Sequence, residues 1–388
     1  MKSNNILKLI AEKCPGGVGF RELGKVVKIK NGKDWKPLMK GNIPVYGTGG
    51  VMGYVDTYSY NKPTVLIPRK GSITNIFYLD KPFWNVDTIY YTEIDVVQIV
   101  PKYFYYFLKT IDLAKLDTGS GRPSLTQAIL CKIKIALPPI GVQEEIVKIL
   151  DSFTQLEAEL EAELEARKKQ YAYYRSELMT FGGDVRQVPL GEIGAMVRGN
   201  GLQKKDFTEI GVGCIHYGQI YTYYGVFTDR TKSFVSPELA KKLKKVQKGD
   251  VVITNTSENL EDVGKAVVWC GENEIVTGGH ATIFKPQKVT GRYFAYYTQT
   301  KMFFDEKKKY AKGTKVIDVS ATDMRKIKIP VPPLVEQKRI VSILDKFDAL
   351  VNDISIGLPA EITARRKQYE YYRNKLLAFR EKEHVGAQ

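Results

Sequence analysis

Apolar residues recur at steps of three and four through two long stretches of the chain. In the first, Ile146, Leu150, Phe153, Leu156, Leu160, Leu164, Tyr171, Tyr174, Leu178 and Phe181 form a heptad-like seam. The embedded run LEAELEAELEARKK consists of strong helix formers, acids leading and bases trailing, and Gly182-Gly183 closes it. The pattern predicts one helix over residues 142–179, roughly 55–60 Å long at 1.5 Å per residue. In the second stretch, Ile340, Leu344, Phe347, Leu350 and Ile354 repeat the seam until Gly357 and Pro359 interrupt it. A break is expected there, with Pro359 opening a new helical segment through Phe379. A helix with one apolar seam needs a partner, and the candidate nearest in kind is the other seam. An antiparallel pair with approximate two-fold symmetry is the simplest closure. Two independent helix–domain units on a string are the alternative.

The likeness of the two stretches extends to their residues. KIKIALPPIGVQEEIVKILDSF at 132–153 returns as KIKIPVPPLVEQKRIVSILDKF at 326–347, and ARKKQYAYYRSELMTF at 166–181 returns as ARRKQYEYYRNKLLAF at 364–379. Matches of this length, twice and in the same order, mark an internal repeat. Each copy is preceded by a divergent stretch rich in β-branched and aromatic residues. Thr64-Val65-Leu66-Ile67 and Val251-Val252-Ile253-Thr254 read as buried strands. Pro44-Val45-Tyr46-Gly47 and Cys214-Ile215-His216-Tyr217-Gly218 hold equivalent places. Residues 103–108 and 293–297 read as short helices with an aromatic core face. The Gly-rich stretch GTGGVMGY at 47–54 reads as a hairpin or bend between strands. The expected fold is α+β. Two β-rich domains, residues 1–137 and 184–331, are joined by two long antiparallel helices, residues 138–183 and 332–388, that form a coiled-coil spacer with a pseudo-two-fold internal repeat.

Charge adds a partner class. The 388 residues carry 59 Lys+Arg against 43 Asp+Glu, a formal +16, with 43% hydrophobic residues. A chain that can bury cores and is this basic points first to nucleic acid and second to an anionic membrane. No apolar run reaches 18 residues, and the N-terminal apolar stretch is short and interrupted, so the expectation is a cytoplasmic protein with no membrane association. The four cysteines form no C-x-x-C pair. Cys214 and His216 could touch one metal, but no second ligand pair accompanies them, and no metal site is assigned. GFRELGKV at 19–26 misses a phosphate loop because Val26 stands where Ser or Thr would hold magnesium. No adenosylmethionine loop, methyltransferase tetrad, nuclease carboxylate cluster or catalytic triad is evident, so no catalytic residue is assigned.

The loops beside the buried strands carry the candidate DNA contacts. In the first half these are Arg69, Lys70, Ser72 and Asn75 after the first buried strand, Ser120 and Arg122 in GSGRPS, and Lys30, Lys33 and Tyr46 upstream. In the second half Asn255, Thr256, Ser257 and Asn259 follow the matching strand. Lys312, Thr314 and Lys315 lie in KGTK, and Lys204, Lys205, His216 and Tyr217 lie upstream. Small residues let backbone approach a surface and cations suit phosphate. Arg can pair with guanine and Asn with adenine.

PPIGVQEEIVKILDSF and ARKKQYAYYRSELMTF, with their second copies, resemble the conserved regions of type I restriction–modification specificity subunits. The resemblance covers nearly the whole chain. It implies that each variable domain is a target-recognition domain reading one half of a bipartite, asymmetric double-stranded DNA site. It implies that the helices set the half-site spacing and dock two methyltransferase (modification) subunits carrying S-adenosylmethionine. It further implies a separate motor-nuclease (restriction) subunit using ATP and magnesium, in a prokaryotic cytoplasm, with no cofactor on this chain. Arg167, Tyr171, Tyr174 and Arg175, with Arg366, Tyr369, Tyr372 and Arg373, are the candidate docking residues, pairing within the coiled coil being the other reading of the tyrosines. The alternative function is a coiled-coil adaptor, or a fragment of a single-chain DNA methyltransferase or nuclease.

Overall fold

A computed structural model describes residues 2–118 and 121–382. Contacts divide the chain into two compact units, Met1–Leu160 with Ile362–Gln388, and Glu161–Glu361. The first seam forms a single helix, Ile140–Leu178, whose residues are shared between the units. The second gives Leu334–Asn352 and Leu358–Leu377, with the expected break between them. The break has a local cause. The Asp353 carboxylate accepts the Ser355 and Ile356 N–H groups, closing a turn, and a Cβ on Gly357 would stand 2.4 Å from the Ala349 carbonyl oxygen. Among the described residues no helix is long and apolar enough to cross a membrane.

The first unit is built on an antiparallel sheet ordered Val27–Lys30, Ile89–Ile94, Thr64–Pro68, Phe77–Leu79. Every residue of Thr64–Pro68 is buried, as its unbroken apolar pattern requires. GTGGVMGY forms the turn and return strand of a hairpin, Ile43–Gly47 with Gly50–Val55, and Gly50 takes φ +103°, which favours glycine. The helix Pro101–Leu108 turns Tyr103 and Phe104 fully into the core. The second unit repeats the plan. Its central sheet runs Gly194–Arg198, Ala281–Pro286, Val251–Thr254, Ala266–Trp269, Phe227–Thr228, and the helix Gly291–Tyr297 supplies the aromatic face.

Each unit locks its β-rich part to a helix by the same three devices. Gln143, fully buried, accepts the Val100 N–H (2.8 Å) and donates to the Gln98 and Pro138 carbonyls. Gln337, also fully buried, does the same with Thr290, Lys288 and Pro332. The Asp151 carboxylate accepts the Tyr106 hydroxyl (2.6 Å) and pairs with Lys102 (2.7 Å); Asp345 repeats this with Tyr296 (2.7 Å) and Arg292 (2.6 Å). The Tyr103 and Tyr293 hydroxyls donate to the Ala136 and Pro330 carbonyls.

The helix seams close within each unit. In the first, Phe153 stacks on Tyr372 (ring centroids 5.5 Å) and leans on Tyr369 (6.4 Å), while Glu157 pairs with Arg366 at 2.6 Å. The contacts step in opposite directions along the two helices, so the pair is antiparallel. In the second, Phe347 stacks on Tyr174 (5.5 Å) and Tyr171 (6.1 Å), and the Tyr171 hydroxyl donates to Asp348. Phe153 and Phe347 hold one position of the repeat, and Tyr369 and Tyr171 another. Each unit therefore joins the front of one conserved region to the back of the other.

Candidate nucleic-acid interface

In each unit several loops converge at one end of the central sheet. In the first, the chain leaves the buried strand at Arg69. The Arg69 N–H donates to the Thr88 carbonyl and its carbonyl accepts the Leu125 N–H, both at 2.8 Å. Lys70 forms a β-bridge with Ser124, and the Gly71 N–H reaches the Pro123 carbonyl. The two loops singled out in the sequence are thus joined side by side. Asn75 donates to the Thr48 carbonyl (2.9 Å), tying the hairpin tip to the same edge.

The second unit uses the same backbone plan. The Asn255 N–H donates to the His280 carbonyl (2.8 Å) and its carbonyl accepts the Val319 N–H (2.9 Å). Thr256–Ser257 then pairs with Ile317–Asp318. Asn255 stands where Arg69 stands, His280 where Thr88 does, and Val319 where Leu125 does. The sequence offered both loop pairs but not their pairing, because residues far apart in the chain form it.

The side chains at this end differ sharply. Arg69 lies along the surface, its guanidinium donating to the Asp87 carbonyl (3.2 Å) and lying 5.9 Å from the Tyr90 ring centroid. Lys70, Ser72, Asn75 and Arg122 are exposed, and Lys30 is loosely paired with Glu93 at 3.9 Å. Lys33 is exposed, its carbonyl held by the Trp84 indole N–H. Tyr46 is half-buried against Phe77 and Phe83, and that burial raises its hydroxyl pKa. Ser120 lies outside the described residues.

In the second unit four candidates need correction. Asn255 has no exposed surface, and its amide is spent inside, donating to the Val319 carbonyl and accepting the Thr282 hydroxyl, both at 2.8 Å. A base edge cannot reach it without undoing those bonds. Thr256 and Ser257 are buried in their short strand, the Thr256 hydroxyl held by His280 Nδ1 at 3.0 Å. His216 is also buried, and its Nδ1 accepts the Gly218 N–H at the start of a short helix. Burial, with Lys204 and His280 adding to it, pushes its pKa down to about 4, so its ring is neutral at pH 7. Tyr217 is half-buried between the two imidazoles. Asn259 caps the turn to Asp262.

Lys204, Lys205, Lys312, Thr314 and Lys315 are exposed. Lys312 pairs with Asp323 (3.1 Å); Lys326, Lys312 and the Ser320 hydroxyl together hold that carboxyl at about 2. Two residues of this edge escaped the sequence reading. Arg198 ends its strand here, donating to the Gly279 carbonyl (3.1 Å) with Asp318 at 3.9 Å. His280 is the other. Both fall where the two halves have diverged, and only strand register reveals their place.

The docking tyrosines also need correction. Tyr171 is buried, and Tyr174, Tyr369 and Tyr372 stack in the seams described above. The guanidiniums of Arg175 and Arg373 lie over the Tyr171 and Tyr369 rings (5.0 and 5.5 Å), Arg366 pairs with Glu157, and Arg167 with Glu163. Tyr173 and Tyr371 face outward, and Tyr174, although stacked on Phe347, also keeps an exposed face.

Known proteins share this architecture. A family model described as type I restriction modification DNA specificity domain matches residues 15–166 and 183–364. A Haemophilus influenzae protein provisionally named a type I restriction enzyme specificity subunit is 31% identical over 93% of this chain and 96% of its own. The Escherichia coli EcoR124I/EcoR124II specificity subunit is 32% identical over 76% of this chain and 75% of its own. In structure, the S subunit of a type I restriction-modification system from M. genitalium aligns with a TM-score of 0.57 at 18% identity, covering 93% of this chain and 96% of that one. That likeness speaks to the fold alone.

Proposed function

The chain belongs to the type I restriction–modification DNA specificity family, and from that premise we propose that it reads double-stranded DNA as two separate half-sites, one per unit. The observation carrying this reading is the sheet end built twice with one backbone plan and two sets of side chains. A shared frame with unlike side chains suits two unlike short sequences. Residues 1–137 and 184–331 are the target-recognition domains. The helical segments 138–183 and 332–388 set the distance between half-sites and dock two methyltransferase subunits. With the tyrosine seams closed, Tyr173 and Tyr371 are the docking contacts this reading favours. S-adenosylmethionine belongs to the methyltransferase partner, and ATP and magnesium to the motor-nuclease partner. This chain supplies no reacting group.

The test is an exchange of residues 20–137 for the matching segment of a relative, followed by mapping of methylated adenines in the host genome. One half of the site is expected to change and the other to persist. A change in both halves, or in neither, overturns the reading. Methyl transfer from labelled S-adenosylmethionine by the chain alone would overturn the assignment of chemistry to the partner.

A further inference from the structure

The second unit carries a chain of ring contacts that ends on a histidine. Phe207 stands edge-on to His216 (5.7 Å), His216 lies 4.4 Å from Tyr217, and Tyr217 lies 5.0 Å from His280. From His216 outward exposure rises: His216 is buried, Tyr217 half-buried, His280 exposed. The outermost ring is fixed on three sides. Its backbone carbonyl accepts the Asn255 N–H, its Nδ1 is within 3.0 Å of the Thr256 hydroxyl, and its ring lies against Tyr217 at a 48° tilt. Nδ1 is thereby occupied, and Nε2 is the ring nitrogen left for a ligand.

Its position matters as much as its chemistry. His280 immediately precedes the strand Ala281–Pro286, at the sheet end where Arg198 and the paired loops also meet. In the first unit the same backbone position is Thr88, next to the half-buried Arg69 and the exposed Lys70. A ring held against rotation, with one free nitrogen, suits a directional contact. A flexible lysine suits a phosphate.

We infer that His280, seated on Tyr217 and oriented by Thr256, contacts a base edge in the half-site read by the second unit. This inference rests on the two-half-site reading. It adds that the second unit discriminates through a fixed imidazole ring at the position where the first has Thr88 beside a flexible lysine.

The test uses the full chain in complex with its host methyltransferase, selecting bound duplexes from a library randomised over both half-sites. His280→Ala and His280→Gln are compared with the unaltered chain, with thermal melting of each complex alongside. Discrimination is expected to fall about ten- to a hundredfold at one or two base pairs of a single half-site, as for loss of one good base contact. The other half-site should be unaltered. Gln, which keeps a hydrogen-bonding side chain but not the ring, should shift the preferred base rather than merely erase the preference. Should Ala lower the melting temperature, the Gln complex and Tyr217→Phe, which retains the stack, provide the reading. Uniform weakening across all sequences would mean a phosphate contact and overturn the inference. So would unaltered selection by folded variants. If the unaltered complex selects no bipartite sequence at all, the two-half-site reading falls with it. If it does and His280 variants match it, only this inference falls.

Discussion

Arg69 and Asn255 occupy the same point of the repeat and do opposite things. Both donate a backbone N–H to the strand beside them and accept one from the loop paired with them. The Arg69 side chain spreads over the surface, touching the Asp87 carbonyl and the Tyr90 ring. The Asn255 side chain turns inward and binds the two loops together through Val319 and Thr282. The first unit also supports its loop pair with a side chain, the Tyr90 hydroxyl donating to the Leu125 carbonyl (3.2 Å), but draws it from the neighbouring strand and leaves its cations outward. The second spends a polar side chain on closure and leaves display to His280, Arg198 and Lys312. One frame can carry two recognition chemistries because the same backbone hydrogen bonds recur in both units while the side chains around them differ.

The largest effect expected from breaking this comparison is on stability. Asn255→Ala strands the buried Val319 carbonyl and the Thr282 hydroxyl, and should cost the second unit about 3 kcal/mol. Arg69→Ala should change the first by under ~1 kcal/mol, since only partly exposed contacts are lost. Hydrogen exchange resolved along the chain measures both, because opening free energies are local. Equal losses would erase the contrast.

Acidity separates the units next. The His216 ring binds its proton only near pH 4 when folded, against about 6.5 when unfolded. Its folded pKa is depressed, so its contribution is whole above pH 6.5 and drains away as pH falls toward 4, by about 2–3 kcal/mol. His216→Asn, which keeps a capping acceptor, should flatten that window. The matching strand of the first unit, Ile43–Gly47, holds no histidine and gives no such loss. Below it, Asp323 adds a second decline between about pH 4 and 2, in the same direction. An unfolding free energy level from pH 7 to 4 would contradict the His216 account.

The seams should respond alike. Phe153→Ala and Phe347→Ala each remove one ring packed against two tyrosines, at about 2 kcal/mol apiece. Denaturant melts in which one is silent would show that the seams are not equivalent. The smallest effect is at the surface. Lys70→Ala should leave stability unaltered, weaken DNA binding a few-fold, and lower the salt slope by about one. An unaltered slope would remove Lys70 from the phosphate contacts.

How much was legible in the sequence varies by element. The helices, the break at Gly357, the buried strands and the aromatic helix faces all follow from local periodicity and from glycine and proline chemistry. Lys70 and Arg122 were found as loop cations by composition alone. Asn255, Thr256, Ser257 and His216 were read as surface groups because polar residues after a strand usually are. Their burial depends on Val319, Thr282 and His280, which no local pattern links to them.

The repeat itself, and with it the family and the two-part plan, was settled by residue order, since matched seams and capping residues are written along the chain. The partner of each tyrosine was not. The sequence also allowed two independent helix–domain units, in which Phe153 meets no tyrosine of the other copy. Only folding placed Tyr369 and Tyr372 on Phe153, and Tyr171 and Tyr174 on Phe347. A straight helix carries its own distal residues away from its proximal ones at a fixed rise per residue, so a seam must be closed by chain arriving from elsewhere.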